Sequence, residues 1–432
     1  MNRLQIYQRT IPTTLETDIL VVGGGSAGAV AAITAARQGC SVTLVERYGF
    51  LGGISTTVLD TFCGFYRRQG DESRKIVGGI PFLVIDELNQ RGAALVRTSR
   101  YWKAGDVITY HPEMLKIIWE SLALQSGVRL LYHTFAADAI MEGERVVGIV
   151  TTGKSDWMRI KAQVVIDASG DADLAAAAGV LYEQGPALQA MTTIFHVGGV
   201  DVARASQVSK DELVGLMAEA AASDERIPIK AGSFSITTLP GVMIVNMAHV
   251  SDLDPTDPEQ LTQAEIQGRE QALACQRFLQ MRLPGFEGSY LVKLSTQIGV
   301  RESRRIIGEY RLTRKDVLQA RRFSDGIARG AWPVEEHRPE AGVRVEYLPE
   351  GQTYDIPYRC LLPRKVLGLL VAGRCLSADH DAHASVRVMA QCMAMGQAAG
   401  IAAGLAIRDQ GAPRDINISE LRAQLRSTGA MI

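Results

Sequence analysis

Short apolar runs and longer amphipathic stretches alternate along this chain. DILVV (18–22) and SVTLVE (41–46) are apolar runs of strand length, and the Ala-rich run between them has helical character. Residues from about Asp18 to Tyr48 therefore read strand, glycine loop, helix, strand. Loops and helices follow from Leu51 to Trp119, with glycine pairs at Gly52-Gly53 and Gly78-Gly79 and a helix start at His111-Pro112. RLLYHTF (129–135), RVVGIVT (145–151) and QVVIDASG (163–170) are β-rich and lead back into the first unit. From Pro186 to Glu346 the character changes. Apolar strands (MTTIFHV, 191–197; GVMIVNM, 241–247) flank charge-rich helical stretches at 209–222 and 258–281. The last part is a strand (GLLVAG, 368–373), a turn and a long small-residue helix. The expected organisation is a discontinuous α/β unit (1–185 with 347–432) carrying an inserted α+β unit at 186–346.

Bulk properties narrow the class. The chain has 432 residues, 47% apolar and 22% charged, enough for a large core and two lobes. A formal net charge of -1 argues against a dedicated nucleic-acid binder. The six cysteines (Cys40, Cys63, Cys275, Cys360, Cys375, Cys392) form no CxxC pair and no metal-ligand spacing with histidine. Reduced thiols in a cytoplasmic protein, and no metal site, are the expectation. The first residues lack an apolar core segment, so no secretory signal is expected. The run from Cys392 to Ile407 is shorter than the ~20 residues of a membrane span and reads as a buried helix.

Gly23-Gly24-Gly25-Ser26-Ala27-Gly28 is GxGxxG, directly after an apolar strand and opening a helix. In that context Gly23 permits the tight turn, Gly25 lets backbone approach a pyrophosphate, and Gly28 lets helix and strand pack closely. The helix N-terminus at Ser26 offers free N–H groups to phosphate. The second strand ends at Glu46, where a carboxylate can accept from a ribose hydroxyl. The chain contains no second GxGxxG after a strand. After Glu46 the sequence runs RYGFLGGISTT: Arg47 can contact adenosine, and Gly53, Ile54 and Ser55 can run backbone along a longer cofactor.

These features resemble the glutathione-reductase-like flavoproteins, in which FAD lies extended with its adenine end at this strand. Five further segments resemble the broad FAD-dependent oxidoreductase family of bacteria: 51–66, 164–179, 298–317, 354–364 and 369–400. They touch nearly every region of the chain in order. The resemblance implies an α/β fold, a Rossmann-like FAD-binding domain of glutathione-reductase type with an inserted α+β substrate domain. It implies no substrate, because fold does not fix function. VVIDASGD is a buried strand ending in a small-residue turn, where Ala168 and Gly170 let backbone pass the cofactor and Asp171 can cap the next helix. In LLVAGR, Gly373 avoids a clash and Arg374 can pair with phosphate. The run from Ser385 to Met389, with Arg387 and Val388, is read as the start of the long helix, its N–H groups facing the flavin pyrimidine carbonyl.

A flavin carries the redox chemistry itself, so the protein need only orient substrate and move protons. Of the two histidines before the long helix, His383 is the preferred proton handler over His380. Arg301 and Arg305 share a face if their segment is a strand, and Arg301, Arg304 and Arg305 do if it is a helix; such a face could hold an anionic substrate, with Arg301 foremost, or could simply pair with Glu302 and Glu309. Cys63 stands alone, which argues against a dithiol relay; contact with flavin, a covalent link and an inert buried thiol remain open. Without a second nucleotide motif, the expected cycle has a small, anionic metabolite reducing FAD, with reoxidation by oxygen, a quinone or a partner protein. The alternatives are C=C reduction, as in fumarate-reductase-like enzymes, and a redox relay in RNA modification. Dimerisation through the second lobe would be unsurprising.

Overall fold

The structure, a computed structural model, describes residues 11, 13–98, 105–154, 157–185, 188–224, 226–227, 232–338 and 342–432. The first ten residues, read above for a leader, and Pro186, the expected lobe boundary, lie outside them.

The first apolar run forms β1 (Thr13–Val22), followed by α1 (Ser26–Arg37) and β2 (Val42–Val45). A helix with Pro112 in its first turn, α2 (Pro112–Gln125), returns the chain to β3 (Arg129–Leu131). A meander of β4 (Phe135–Glu142) and β5 (Arg145–Thr152) leads into β6 (Trp157–Asp167). The sheet order is β3-β2-β1-β6-β5-β4. The β3–β2, β2–β1 and β1–β6 pairings are parallel, whereas β5 and β4 are antiparallel. Ile19, Leu20 and Val21 of β1 are fully buried, which is why this strand reads as an unbroken apolar run. The chain leaves β1 towards β2 on one side and reaches β6 on the other. That reversal is where open α/β sheets seat a ligand, at the carboxyl ends of the strands.

The second group of strands comprises β7 (Met191–Gly198), β8 (Ser233–Ile236), β9 (Met243–Val250) and, after α3 (Pro258–Arg282), β10 (Tyr290–Leu294). They form an antiparallel sheet of order β8-β9-β7-β10 with its own apolar core, in which Phe195, Val245 and Met247 meet Phe278 and Leu279 of α3. A hairpin, β11 (Val334–Arg338) and β12 (Gly342–Glu346), comes next. Then β13 (Leu369–Val371) pairs in parallel with β6 and so rejoins the first sheet.

Two helices close the chain's return, α4 (His380–Val386) and α5 (Met389–Arg408). The long helix therefore starts at Met389 and not at Ser385: the chain breaks at Arg387 and Val388, which cap the two helices. At 20 residues α5 is long and apolar enough to cross a bilayer, longer than its apolar run alone implied, yet it is buried within the protein over most of its length. Its glycines explain the fit. A Cβ on Gly396 would stand 2.1 Å from the Ala27 carbonyl oxygen, and one on Gly400 2.5 Å from that of Ala31, so α5 lies directly on α1.

Candidate functional site

One cavity of about 1110 Å³ runs from the glycine loop after β1 to the inner face of the second sheet. That exceeds the roughly 300–1,000 Å³ of ordinary ligand pockets and suits an elongated cofactor plus a substrate. Gly23, Gly25, Ser26, Glu46, Arg47, Gly53, Ile54, Ala168, Gly170, Gly373, Arg374, Arg387, Val388 and Met389 all line it, as do Cys63 and Arg301. Gly28, Ser55 and His383 do not.

Local physics builds the dinucleotide end. Gly23 has φ +91, and a Cβ there would meet the Ala168 carbonyl oxygen at 2.6 Å. Gly25 caps α1 without any side chain, leaving the helix N-terminus open to an anion. Gly28 acts from behind: its Cβ would stand 1.8 Å from the Gly23 carbonyl oxygen. The buried Glu46 carboxylate accepts from the Gly24 N–H at 2.7 Å and the Tyr48 N–H at 2.9 Å, which aims it along the cavity wall. Burial raises its pKa against the pull of those two hydrogen bonds. Arg47 donates to Gln297 at 2.8 Å, and Ser55 holds the Gly52 carbonyl at 2.7 Å, stiffening the turn.

Arg374 places one guanidinium nitrogen on Asp171 at 2.7 Å, while its Nη1 is buried with no partner among the described residues. A buried cationic N–H without an acceptor is costly, so this orphan donor fits a phosphate oxygen. Asp171 does not cap the following helix, as the sequence suggested. It is held by Arg374 and Ser303, and Asp167 accepts instead from the N–H of Ala175, 2.8 Å away in the helix Asp173–Ala177. At the other end no side chain caps α5, so its first turn opens beside Val388 and Met389 onto the cavity. These groups fit FAD: a glycine cradle, an acceptor for ribose, a free cationic donor for phosphate and a helix N-terminus for the flavin carbonyl.

Beyond α5 the cavity wall is polar. Arg301 donates to the carbonyl of Ala190 at 2.5 Å and to Thr192. Arg387 donates to Gln189 at 3.1 Å, and its Nε is buried without a partner among the described residues. Burial lowers the pKa of both, and each feels the other's charge or that of Glu335. Three residues unmarked by any motif complete this end. Glu335 accepts from Trp332 at 2.8 Å and from His337 at 3.0 Å. Burial pushes its carboxyl up, but His337, Arg387 and Trp332 bring it down to about 2. His337 stacks on His249, with ring centroids 6.1 Å apart. Burial and Arg301 hold His337 down to about 4 and His249 well below the ordinary histidine value.

The structure moves other candidates away. His383 is fully buried outside the cavity and its Nε2 meets the Arg374 carbonyl at 2.9 Å; burial lowers it to about 3, so it is a neutral strut. Arg301, Arg304 and Arg305 share no face, because most of their segment is neither helix nor strand. Arg304 turns to Asp173 at 3.0 Å, and Arg305 to the Ala378 carbonyl at 2.6 Å and to Glu302. Cys63 lines the cavity, but burial pushes its thiol up to about 12, which leaves it protonated and unreactive.

Glu336, on the opposite face of β11 from Glu335 and His337, meets His380, whose other ring nitrogen meets Glu302 at 2.9 Å. Glu336, His380 and Asp381 bring ligand-type atoms within 4.8 Å of one another. Both His380 nitrogens are nevertheless taken by carboxylates, and Asp381 lies 3.6 Å from Arg314, so the cluster is an ion-pair network that anchors the hairpin. The Glu302 hydrogen bond raises His380 to about 9 against burial. Its contribution is complete below the unfolded pKa of about 6.5 and is lost as pH rises through about 9. Thermal unfolding of the wild type is therefore expected to weaken over that window, and a His380→Gln protein should lack this component.

The sequence profile of the FAD dependent oxidoreductase family matches residues 18–425. A digeranylgeranylglycerophospholipid reductase of Methanoculleus marisnigri is 30% identical over 171 residues, 38% of this chain and 41% of that protein. Digeranylgeranylglycerophospholipid reductase 1 of Methanopyrus kandleri is 30% identical over 166 residues, 36% of this chain and 40% of that protein. The chain thus spans about two fifths of the length of these curated relatives. Among solved structures, a geranylgeranyl bacteriochlorophyll reductase-like protein from Thermoplasma acidophilum superposes with a TM-score of 0.48 at 14% identity, covering 96% of this chain and 84% of that one. With the profile spanning nearly its whole length, the chain belongs to the FAD dependent oxidoreductase family and FAD is its cofactor.

Proposed function

We propose that the protein oxidises a small anionic metabolite by hydride transfer to FAD, on a substrate lobe (186–346) inserted into a glutathione-reductase-like flavin-binding unit (1–185 with 347–432). One observation carries this reading: the cavity that begins at the glycine fingerprint ends between two buried arginines, Arg301 and Arg387, opposed there by Glu335. The local excess of positive charge and the orphan Nε of Arg387 favour a carboxylate or similar anion. FAD, when bound, supplies the two-electron chemistry.

The chain's own residues do the rest. Gly25, Ser26 and the α1 N-terminus receive the pyrophosphate, Arg374 adds a cationic donor, and Glu46 takes the ribose. Gly53 and Ile54 flank the extended cofactor, and Val388 and Met389 present the α5 N-terminus to the flavin. Cys63 serves as wall. Reoxidation falls to oxygen, a quinone or a partner protein. A second reading, reduction of a C=C bond, draws support from the reductases among the partial relatives.

An anaerobic absorbance spectrum of the holoenzyme tests both readings. Bleaching by a small anionic donor, with no response to NADH or NADPH, is the expected result. Rapid bleaching by a nicotinamide, with none from anionic donors, would overturn the oxidation and support the reductase.

A further inference from the structure

We propose that the substrate is a 2-hydroxycarboxylate and that His249 takes its hydroxyl proton. This rests on the oxidative reading above and names the substrate class within it. His249 lies near the end of β9 and lines the cavity. Its Nδ1 is 3.1 Å from the Met247 carbonyl oxygen, so that nitrogen carries the proton and donates it, and Nε2 keeps its lone pair. His337 is fixed in the opposite sense. Its Nε2 donates to Glu335 at 3.0 Å, and its Nδ1 is buried with no partner among the described residues.

Arg301 and His337 are the charged and titratable neighbours of His249, Glu335 and Arg387 are further neighbours of His337, and all five line the cavity. A cation for a carboxylate therefore stands beside two ring nitrogens that can only accept. A carboxylate with a neighbouring O–H donor complements that set.

Two rival substrate classes fit worse. A 2-amino acid brings an ammonium charge, which Arg301 and Arg387 would repel. A C=C reduction needs a proton donor, whereas the N–H of each of these rings is already spent, on Met247 and on Glu335. In the oxidation, FAD, when bound, would accept the hydride released as the C2–H bond breaks. The O–H bond breaks and its proton passes to His249 Nε2, and the C2–O bond becomes double. The products are a 2-oxocarboxylate, reduced cofactor and one proton on the protein.

The test uses anaerobic holoenzyme mixed with lactate, glycolate or malate, alongside alanine, aspartate, NADH and NADPH. Oxalate, which cannot be oxidised this way, is titrated into the oxidised holoenzyme as a binding probe. At least one 2-hydroxy acid is expected to bleach the wild type. His249→Gln and His249→Asn should slow that reduction by roughly 10²–10⁴-fold, keep their flavin and bind oxalate much as the wild type does. The acid limb of the wild-type pH profile should vanish in both variants.

A variant that keeps the wild-type rate, or loses oxalate binding in step with rate, overturns the role of His249. Bleaching by amino acids but not by hydroxy acids overturns the substrate class and leaves the oxidative reading standing. Bleaching by a nicotinamide alone overturns both.

Discussion

A Gly28→Val protein is expected to be colourless even when FAD is supplied in excess. Gly28 touches no part of the cavity, so the effect is indirect and wholly steric. Its Cβ would stand 1.8 Å from the Gly23 carbonyl oxygen and 3.0 Å from the Ala168 side chain, and both neighbours belong to the cofactor turn. Backbone cannot rotate away as a flexible side chain can, so the N-terminus of α1 must shift. That shift moves Gly25, Ser26 and the helix N–H groups away from the phosphates they are placed to receive. Overpacking of this kind typically costs about 1–3 kcal/mol of stability, so the fold should survive with a lowered melting temperature. The absorbance near the flavin band, set against protein absorbance after gel filtration, measures the outcome. A folded valine variant that stays yellow at full occupancy would mean that FAD does not sit at this loop.

The same turn shows why part of the site was legible in the sequence. Gly23, Gly25, Gly28 and Glu46 belong to one strand–helix–strand unit, so their place at the candidate site is written in local spacing. Arg374 was legible for the same reason, following a buried strand and a glycine. His249 and His337 were not. They lie on different strands, β9 and β11, far apart in sequence, and only the folded chain brings their rings to 6.1 Å. The available signal was a histidine interrupting an apolar strand, MIVNMAHV, which is equally the mark of a core histidine. His383 misled because proximity in sequence to the long helix was read as proximity to the flavin. The break at Arg387 and Val388 instead turns α4 back on Arg374. The arginine segment misled differently. With most of it neither helix nor strand, no period governs where its side chains point, and each guanidinium follows its own partner.

Arg301→Gln is expected to leave FAD in place, weaken oxalate binding and move the acid limb of flavin reduction towards neutral pH. The first effect follows from position, since Arg301 stands beyond α5 and is held by the Ala190 carbonyl and by Thr192 of β7. The second follows from burial: truncating one partner of a buried charge pair typically costs about 2–5 kcal/mol, or roughly 30-fold to several thousandfold in affinity. The third concerns the two histidines. After burial, Arg301 is the largest influence holding both His249 and His337 below the ordinary value of 6.5. Without that charge their pKa values rise, a larger fraction of each ring is protonated at mildly acidic pH, and a protonated His249 cannot accept. The rate should therefore fall at a higher pH than in the wild type, while the plateau above neutrality is less affected. Oxalate titrations and reduction rates across the pH range would read the two effects separately. An unchanged oxalate affinity in Arg301→Gln, paired with a large loss in Arg387→Gln, would assign the anion to Arg387 and place the substrate closer to the break between α4 and α5. A displaced acid limb with that unchanged affinity would then leave Arg301 acting on the histidines alone.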